Sequence, residues 1–107
     1  MLLYNTTFAV DTNLEKEVVE WIKKEFIPSA ADNEYFFSEA PHSPDILRVI
    51  GGEPGVTSIA VHLYTDSVEC IKDWYADRGA ALFSDVLERW GERVMFFSTT
   101  LESLYAG

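Results

Sequence analysis

Two amphipathic helical segments constrain the fold of this chain most, because the rest of the molecule must cover the apolar side of each. In the first segment, residues 13 to about 27, the residues at helical spacing are Leu14, Val18, Trp21, Ile22 and Phe26. The second begins at a predicted cap, Asp66 and Ser67, and its apolar side consists of Val68, Ile71, Trp74, Tyr75, Leu82, Phe83, Val86, Leu87 and Trp90. A β-sheet is the surface that can cover both.

Four extended segments provide that sheet. Leu2 to Val10, Val56 to Thr65 and Val94 to Leu101 are rich in β-branched and aromatic residues. Another extended region starts at residues 35–37, is interrupted by the proline turn 41–45 and resumes at 46–50. The order β-α-β-β-α-β predicts an α+β fold, a ferredoxin-like βαββαβ sandwich with a four-stranded antiparallel sheet and both helices on one face. We expect residues 1–107 to form a single domain.

Local signals mark the helix ends. Thr12 to Glu15 fits the spacing of a capping box, which predicts a side-chain cap for the first helix. Pro28 should end that helix there or shortly after, near Ala31. Gly79, in the middle of the second helix, indicates a kink, a break or a close contact. Gly91 should end the second helix in a left-handed conformation.

Two helices can cover only one face of four strands, so the other face needs an explanation. The adjacent residues Phe96 and Phe97 must lie on opposite faces of the last strand. Tyr64 and Ala60 likewise lie opposite to Leu63 and Ile59. An exposed aromatic sheet face is typical of a partner or ligand site. The sequence therefore predicts a symmetric homodimer, paired through this face.

Charge and composition exclude several partners. The chain carries 18 acidic and 8 basic residues, a formal charge of −10, with no basic cluster larger than Lys23-Lys24. We therefore expect neither nucleic acid nor an anionic membrane as a partner. No apolar run approaches the ~20 residues that span a bilayer, and the first residues lack the basic region of a signal peptide. Together with the single cysteine, Cys70, these features predict a cytoplasmic protein.

Five short segments resemble the DUF4286 family in order and position. They are Tyr4–Thr7, Trp21–Pro28, Leu47–Ile50, Gly55–Val61 and Arg89–Val94. The resemblance covers nearly the whole chain. It implies a small bacterial domain without an assigned function, related to ferredoxin-like dimeric α/β barrels. It assigns no catalytic residue.

The sequence provides few residues for metal or covalent chemistry. His42 and His62 are the two histidines, so we expect no metal and no cofactor. Acidic neighbours surround Cys70, which we interpret as a small buried or half-buried residue. Residues 51–55 join two strands and form a hairpin turn, not a phosphate loop.

Polar residues on the strands form the candidate ligand site. Asn5, Thr7, His62, Tyr64, Ser98 and Thr100 alternate toward what could be one face, and Trp74 would help to shape a cavity there. The alternative is that they are hydrogen-bonded strand positions or interface contacts.

Three functions are compatible with this pattern. The first is a homodimeric ligand-binding or interaction module without catalysis of its own. The second is a cofactor-independent monooxygenase-like or isomerase-like enzyme that acts on a small aromatic compound, with His62 or Asn5 orienting the substrate. The third is a regulatory or scaffolding module that binds other proteins.

Overall fold

The structure, a computed structural model, describes residues 1–31 and 35–105. Four strands are present: β1 (Leu2–Asp11), β2 (Asp45–Arg48), β3 (Val56–Thr65) and β4 (Val94–Glu102). Between β1 and β2 lie helices α1 (Glu15–Trp21) and α2 (Ile27–Ala31), which a π-helical turn, Ile22–Phe26, joins. Between β3 and β4 lie α3 (Val68–Trp74) and α4 (Ala80–Trp90), joined by a second π-helical turn, Tyr75–Gly79.

The sheet is antiparallel throughout and has the strand order β2-β3-β1-β4. β1 is central: Asn5 pairs with His62 of β3 on one side and with Thr99 of β4 on the other. The predicted βαββαβ architecture is confirmed. β3 has the predicted bounds, and β1 and β4 each extend one residue further than predicted.

The core lies between one sheet face and the helices. Tyr4, Phe8, Val61 and Leu63 are buried from the sheet, together with Trp74 from the second helical region. Edge-to-face ring contacts connect the layers, for example Phe8 with Phe26, whose centroids are 5.6 Å apart. Many of the aromatic side chains in the sequence therefore lie in this core.

The second strand is much shorter than predicted. Residues 35–37 are not a strand; Phe36 instead packs into the core against Tyr4 and Trp74. Pro41 and Pro44 lack the amide hydrogens that a strand ladder needs, so regular pairing begins only at Asp45. The amide of Val49 still donates to the carbonyl of Ser58 at 2.9 Å, which extends the pairing past Arg48.

The predicted capping box at the first helix is wrong. The chain enters that helix through a 3₁₀ turn, Thr12–Leu14, and neither Asp11 nor Leu14 makes a side-chain cap hydrogen bond. The hydroxyl of Thr12 instead contacts that of Thr57 at 3.2 Å, and the Glu15 carboxylate binds Arg48. The cap at the second helix is confirmed, because Ser67 Oγ accepts the amide of Glu69 at 3.1 Å.

The first helical region continues through Pro28 to Ala31, the last residue before 32–34, which lie outside the described residues. Pro28 is the second residue of α2, directly after the π-helical turn, and the amide of Ile27 before it donates to the Ile22 carbonyl, so the helical region passes through the proline without a break. Gly91 follows Trp90 at the end of α4 and has the positive φ that the prediction requires, +54°, but its ψ of −131° lies outside the left-handed helical conformation that was predicted.

Three residues predicted on the apolar side of the second helix are exposed instead: Val68, Tyr75 and Leu87. The wide turn Tyr75–Gly79 shifts the helical register, so α3 and α4 do not follow one uninterrupted stripe. Within the described residues, the structure contains no helix both long and apolar enough to span a membrane.

Candidate functional site

The candidate site lies on the sheet face opposite the helices, which we call the open face. Alternate residues of β1 and β3 are buried against the helices, and strand pairing places the intervening residues together on the other side. The residues on the open face are Leu3, Asn5, Thr7, Ala9, Asp11, Asp45, Leu47, Val56, Ser58, Ala60, His62, Tyr64, Met95, Phe97, Thr99 and Leu101.

Large apolar side chains of the open face are accessible to solvent. Met95 is 68% exposed, Phe97 60%, Leu101 48% and Leu47 45%. Phe96, the neighbour of Phe97 in the chain, lies on the helix side and stacks on Phe83 with centroids 4.7 Å apart. The prediction that Phe96 and Phe97 lie on opposite faces is therefore confirmed, and the open face has apolar surface that one copy of the chain leaves uncovered.

A polar row crosses this apolar surface. Strand pairing aligns Asp45 of β2 with His62 of β3, His62 with Asn5 of β1, and Asn5 with Thr99 of β4. The amide nitrogen of Asn5 also donates to Thr7 Oγ1 at 3.2 Å. Directly paired side chains of this row lie about 5 Å apart at Cβ, so each neighbouring pair can contact one bound group.

Tyr64 joins the polar row to the apolar surface beside it. Its hydroxyl donates to Asp45 Oδ2 at 3.2 Å. Burial raises the pKa of the Tyr64 phenol, and the hydrogen bond to Asp45 and the negative charge of that carboxylate raise it further. The phenol therefore stays protonated well into the alkaline range.

A cavity of about 610 Å³ lies at the end of the open face next to Tyr64. Its lining includes Leu3, Pro41, His42, Tyr64, Leu101 and Glu102. The His42 ring lies 5.7 Å from the Tyr64 ring, centroid to centroid, and Phe37 lies 6.2 Å from His42. The amide of Phe37 donates to the carbonyl of Tyr64 at 2.8 Å, so this wall of the cavity is attached to β3.

The structure brings together four of the six residues predicted for the cavity: Asn5, Thr7, His62 and Tyr64 share the open face. It does not bring Ser98 or Trp74 to them. Ser98 pairs with Thr6, and their hydroxyls lie 2.9 Å apart on the helix side.

Trp74 is fully buried in the core, where its indole donates to Ser29 Oγ at 3.1 Å. Thr100 pairs with Tyr4 and therefore also points to the helix side.

The sequence interpretation omitted Asp45 and Thr99. Asp45 follows Pro44, and the sequence pattern assigns it to the proline turn. Its position opposite His62 depends on the register of β2 with β3. Thr99 and Ser98 are neighbours in β4 and lie on opposite faces. The residues predicted for the cavity include Ser98, whereas Thr99 is the one on the open face. Phe96 of β4 pairs with Phe8 of β1, and this register determines which side of β4 faces the helices. The residue pattern of β4 alone does not determine it.

Among the described residues, the strand positions of the open face carry two formal charges, Asp45 and, at the far end of β1, Asp11, and none of these positions is a lysine or arginine. Asp11 is ion-paired with Arg93 at 3.3 Å. Arg48 points to the helix side and makes a two-pronged ion pair with Glu15, at 2.9 and 2.8 Å. In residues 1–31 and 35–105, no three His, Cys, Asp or Glu side chains converge in a way that could hold a metal ion.

This fold and its open face define the class of protein as a ferredoxin-like sandwich. Two solved structures share the fold. One is the de novo designed protein Foldit4, with a TM-score of 0.59 and 10% identity over 95% of this chain and 97% of that one. The other is a dimeric ferredoxin-like protein from an uncultured marine organism, with a TM-score of 0.54 and 9% identity over 99% and 98% of the two chains.

The chain belongs to the DUF4286 family, a domain of unknown function, whose model matches residues 1–104. The family resemblance stated above is therefore confirmed. No functionally curated protein matches the sequence.

Proposed function

We propose that this protein is a homodimeric module whose two copies pack open face to open face, as in a dimeric α/β barrel, and hold a small molecule between them without catalysis of their own. The observation that carries the proposal is the exposure of Met95, Phe97, Leu101 and Leu47 on one surface. Burying such a surface against its own copy removes apolar area from water on both sides of a twofold axis.

The charge distribution supports self-association through this face. The chain has a formal charge of −10, so two copies repel each other over most of their surface. The strand positions of the open face in the described chain carry two carboxylates, Asp45 and Asp11, and Asp11 is ion-paired with Arg93. This face is therefore where two copies can approach with the least repulsion. A solved protein of the same fold is itself described as dimeric.

Sedimentation velocity of the wild type and two matched variants tests the dimer. Phe97 is 60% exposed in β4, and Leu87 is 57% exposed on α4, so lysine fits at either position without entering the core. We expect a wild-type dimer at micromolar concentration, a monomer for Phe97→Lys, and a dimer for Leu87→Lys. A wild-type monomer at about 100 μM, a concentration far above the dissociation constant of a stable dimer, contradicts the proposal.

The polar row supports the ligand-binding part of the proposal. Packing two open faces together would bury Asp45, His62, Asn5 and Thr99 of each copy, and buried polar groups need hydrogen-bond partners. A small molecule held between the sheets would supply those partners. The residues that we propose for this site are Asn5, Thr7, His62 and Tyr64, with Asp45 and Thr99 added.

We further propose that the dimer is cytoplasmic.

The enzymatic alternative draws on one feature, the alignment of Asp45 with His62. A carboxylate beside an imidazole can orient a ring nitrogen for proton transfer, as an isomerase or a cofactor-independent monooxygenase acting on a small aromatic compound requires. The cavity described above includes Tyr64 in its lining but not His62.

A scaffolding role predicts partner proteins that co-purify with the dimer.

A further inference from the structure

The two edges of the sheet differ in how well they are protected against pairing with another chain. β2, at one edge, is four residues long, begins directly after Pro44 and carries a charge at each end. Short length, proline and charge are the features by which edge strands avoid such pairing. β4, at the other edge, is nine residues long, and its residues 94–101 include no proline, glycine or charged residue. Its register with β1 continues without a bulge, so β4 has the geometry of an edge that accepts a further strand.

The backbone of β4 presents unpaired hydrogen-bonding groups along its outer edge. The amide of Ser103 donates to the carbonyl of Met1 at 3.0 Å, so the odd-numbered residues of β4 direct their amides and carbonyls at β1. The even-numbered residues therefore direct theirs away from the sheet. The amide of Val94 donates to the Gly91 carbonyl in the preceding 3₁₀ turn. The other outward residues have no strand partner in the part of the chain that the structure describes: Phe96, Ser98, Thr100 and Glu102.

The helix side of β4 is covered over one half of the strand and bare over the other. Val94 is buried, and Phe96 stacks on Phe83 of α4 with centroids 4.7 Å apart. Residues 98–102 are all exposed. An antiparallel copy of the same strand, related by a twofold axis near Ser98, brings the covered half of each strand beside the bare half of the other. The shape of the edge is therefore complementary to itself.

We propose that β4 pairs antiparallel with β4 of a second copy of this chain, which joins the two sheets into one. The outward amides and carbonyls of each strand then become the partners of the other strand. Residues 94–101 carry no formal charge, so two chains with a formal charge of −10 each meet along an uncharged line. The open faces of both copies lie on the same side of the joined sheet. This interface is separate from the face-to-face dimer proposed above and leaves that surface free.

One pair of strands buries little surface, so we expect a dissociation constant on the order of 0.1 to 1 mM. Edge pairing therefore contributes little at micromolar concentration, where sedimentation tests the face-to-face dimer.

Amide hydrogen exchange measured by NMR, at about 50 μM and about 1 mM protein, tests the edge pairing. Inward amides such as that of Thr99 are bonded to β1 and should exchange slowly at both concentrations. The outward amides of Phe96, Ser98 and Thr100 should exchange about two- to threefold more slowly at the higher concentration, in proportion to the paired fraction. Packing of the open faces does not have this effect, because these amides point sideways along the sheet. Unchanged exchange of the outward amides overturns the proposal.

Thr100→Lys tests the assignment to this edge without changing the backbone. Thr100 is exposed, and lysine on an edge strand is one of the residues by which proteins prevent pairing. We expect the concentration dependence at Phe96 and Ser98 to disappear. Ile50→Lys is the control, since Ile50 is 85% exposed and follows β2 at the opposite edge, and it should retain that dependence. A Thr100→Lys variant with the full concentration dependence contradicts pairing through β4.

Leu47→Lys separates edge pairing from the proposed function. Leu47 lies on the open face of β2, so lysine there opposes face-to-face packing and leaves β4 unaltered. Concentration-dependent protection that persists in Leu47→Lys supports edge pairing even where sedimentation finds no dimer at micromolar concentration. A sedimenting dimer without such protection in the wild type removes this inference and leaves the homodimer.

Discussion

Gly79 lies directly against the indole ring of Trp74. A Cβ atom added at Gly79 would be 2.7 Å from Cζ3 of that ring and 2.9 Å from Cη2, closer than real Cβ contacts occur. Trp74 is fully buried and hydrogen-bonded to Ser29, so its ring has little freedom to move away. The glycine in the second π-helical turn is thus required by packing against the indole.

Gly79→Ala should therefore destabilise the protein although alanine is the better helix former. Overpacking typically costs about 1 to 3 kcal/mol, and a contact of 2.7 Å to a held ring belongs to the upper part of that range, about 2 to 3 kcal/mol. The gain in helix propensity returns about 1 kcal/mol. We expect a net loss of about 1 to 2 kcal/mol in the free energy of unfolding, measured with urea. Gly52→Ala is the control, since the nearest atom to its Cβ would be the Val56 carbonyl oxygen at 3.9 Å. A Gly79→Ala variant as stable as the wild type contradicts the packing argument.

Ser29→Ala should weaken the core by removing the acceptor of the Trp74 indole hydrogen bond. The donor and acceptor lie 3.1 Å apart inside the core, and a buried donor that loses its acceptor costs about 1 to 3 kcal/mol. Urea unfolding measures the loss, with Ser84→Ala on the exposed side of α4 as the matched control. In a Trp74→Phe background the cost of Ser29→Ala should fall; an undiminished cost would mean that the serine acts through another contact.

Adjacent substitutions in α4 should differ sharply in their effect. Val86 is fully buried, whereas Leu87 is 57% exposed. We expect Val86→Ala to cost about 2 kcal/mol through lost burial and a residual cavity, and Leu87→Ala to cost less than about 0.5 kcal/mol. Thermal or urea unfolding of both variants decides this, and similar losses at the two positions would contradict the helix orientation described here.

Stability should decrease in acid partly through Glu15. The hydrogen bond from Arg48 lowers the pKa of the Glu15 carboxyl below its ordinary value of 4.5. A carboxyl with a lowered folded-state pKa contributes stability above its unfolded pKa, and this contribution is lost as the pH falls through the folded value. We expect Glu15→Gln to lose stability at pH 7 and to show a smaller decrease between pH 5 and pH 3 than the wild type.

The check on this pH dependence is urea unfolding across that range, with Glu53→Gln as the control. Glu53 is an exposed glutamate of the turn before β3, so its replacement removes a charge without removing the ion pair to Arg48. An identical pH dependence in Glu15→Gln and the wild type would show that the ion pair does not contribute to acid sensitivity.

Much of the fold could be predicted from local patterns. The alternation of Tyr4, Thr6 and Phe8 with Asn5 and Thr7 divides β1 into two faces, and the structure buries the first set against the helices. The helical spacing of Leu14, Val18, Trp21, Ile22 and Phe26 predicts a buried face, and all five are buried. These features depend on periods of two and of about 3.6 residues, which are properties of the chain itself.

The candidate site could be predicted only in part. Asn5, Thr7, His62 and Tyr64 were identified because β1 and β3 are long and alternate cleanly. Ser98 was assigned to the wrong face, since β4 is apolar on both faces near its start and its phase is visible only from its pairing with β1. Trp74 lies on α3, on the helix side of the sheet, and is buried in the core. Asp45 was missed because the prolines before β2 conceal where pairing begins.

The chain's local periodicity and composition thus specify the order of its elements, the two faces of β1 and β3, the buried side of the first helix and the excess of apolar surface over what two helices can cover. Long-range pairing and packing specify the rest: the register that aligns Asp45, His62, Asn5 and Thr99, the hydrogen bond between Tyr64 and Asp45, and the contact between Gly79 and the Trp74 ring. These relationships join residues that are far apart in sequence or depend on a wide helical turn, and a one-residue change in strand register would move every side chain of that strand to the opposite face.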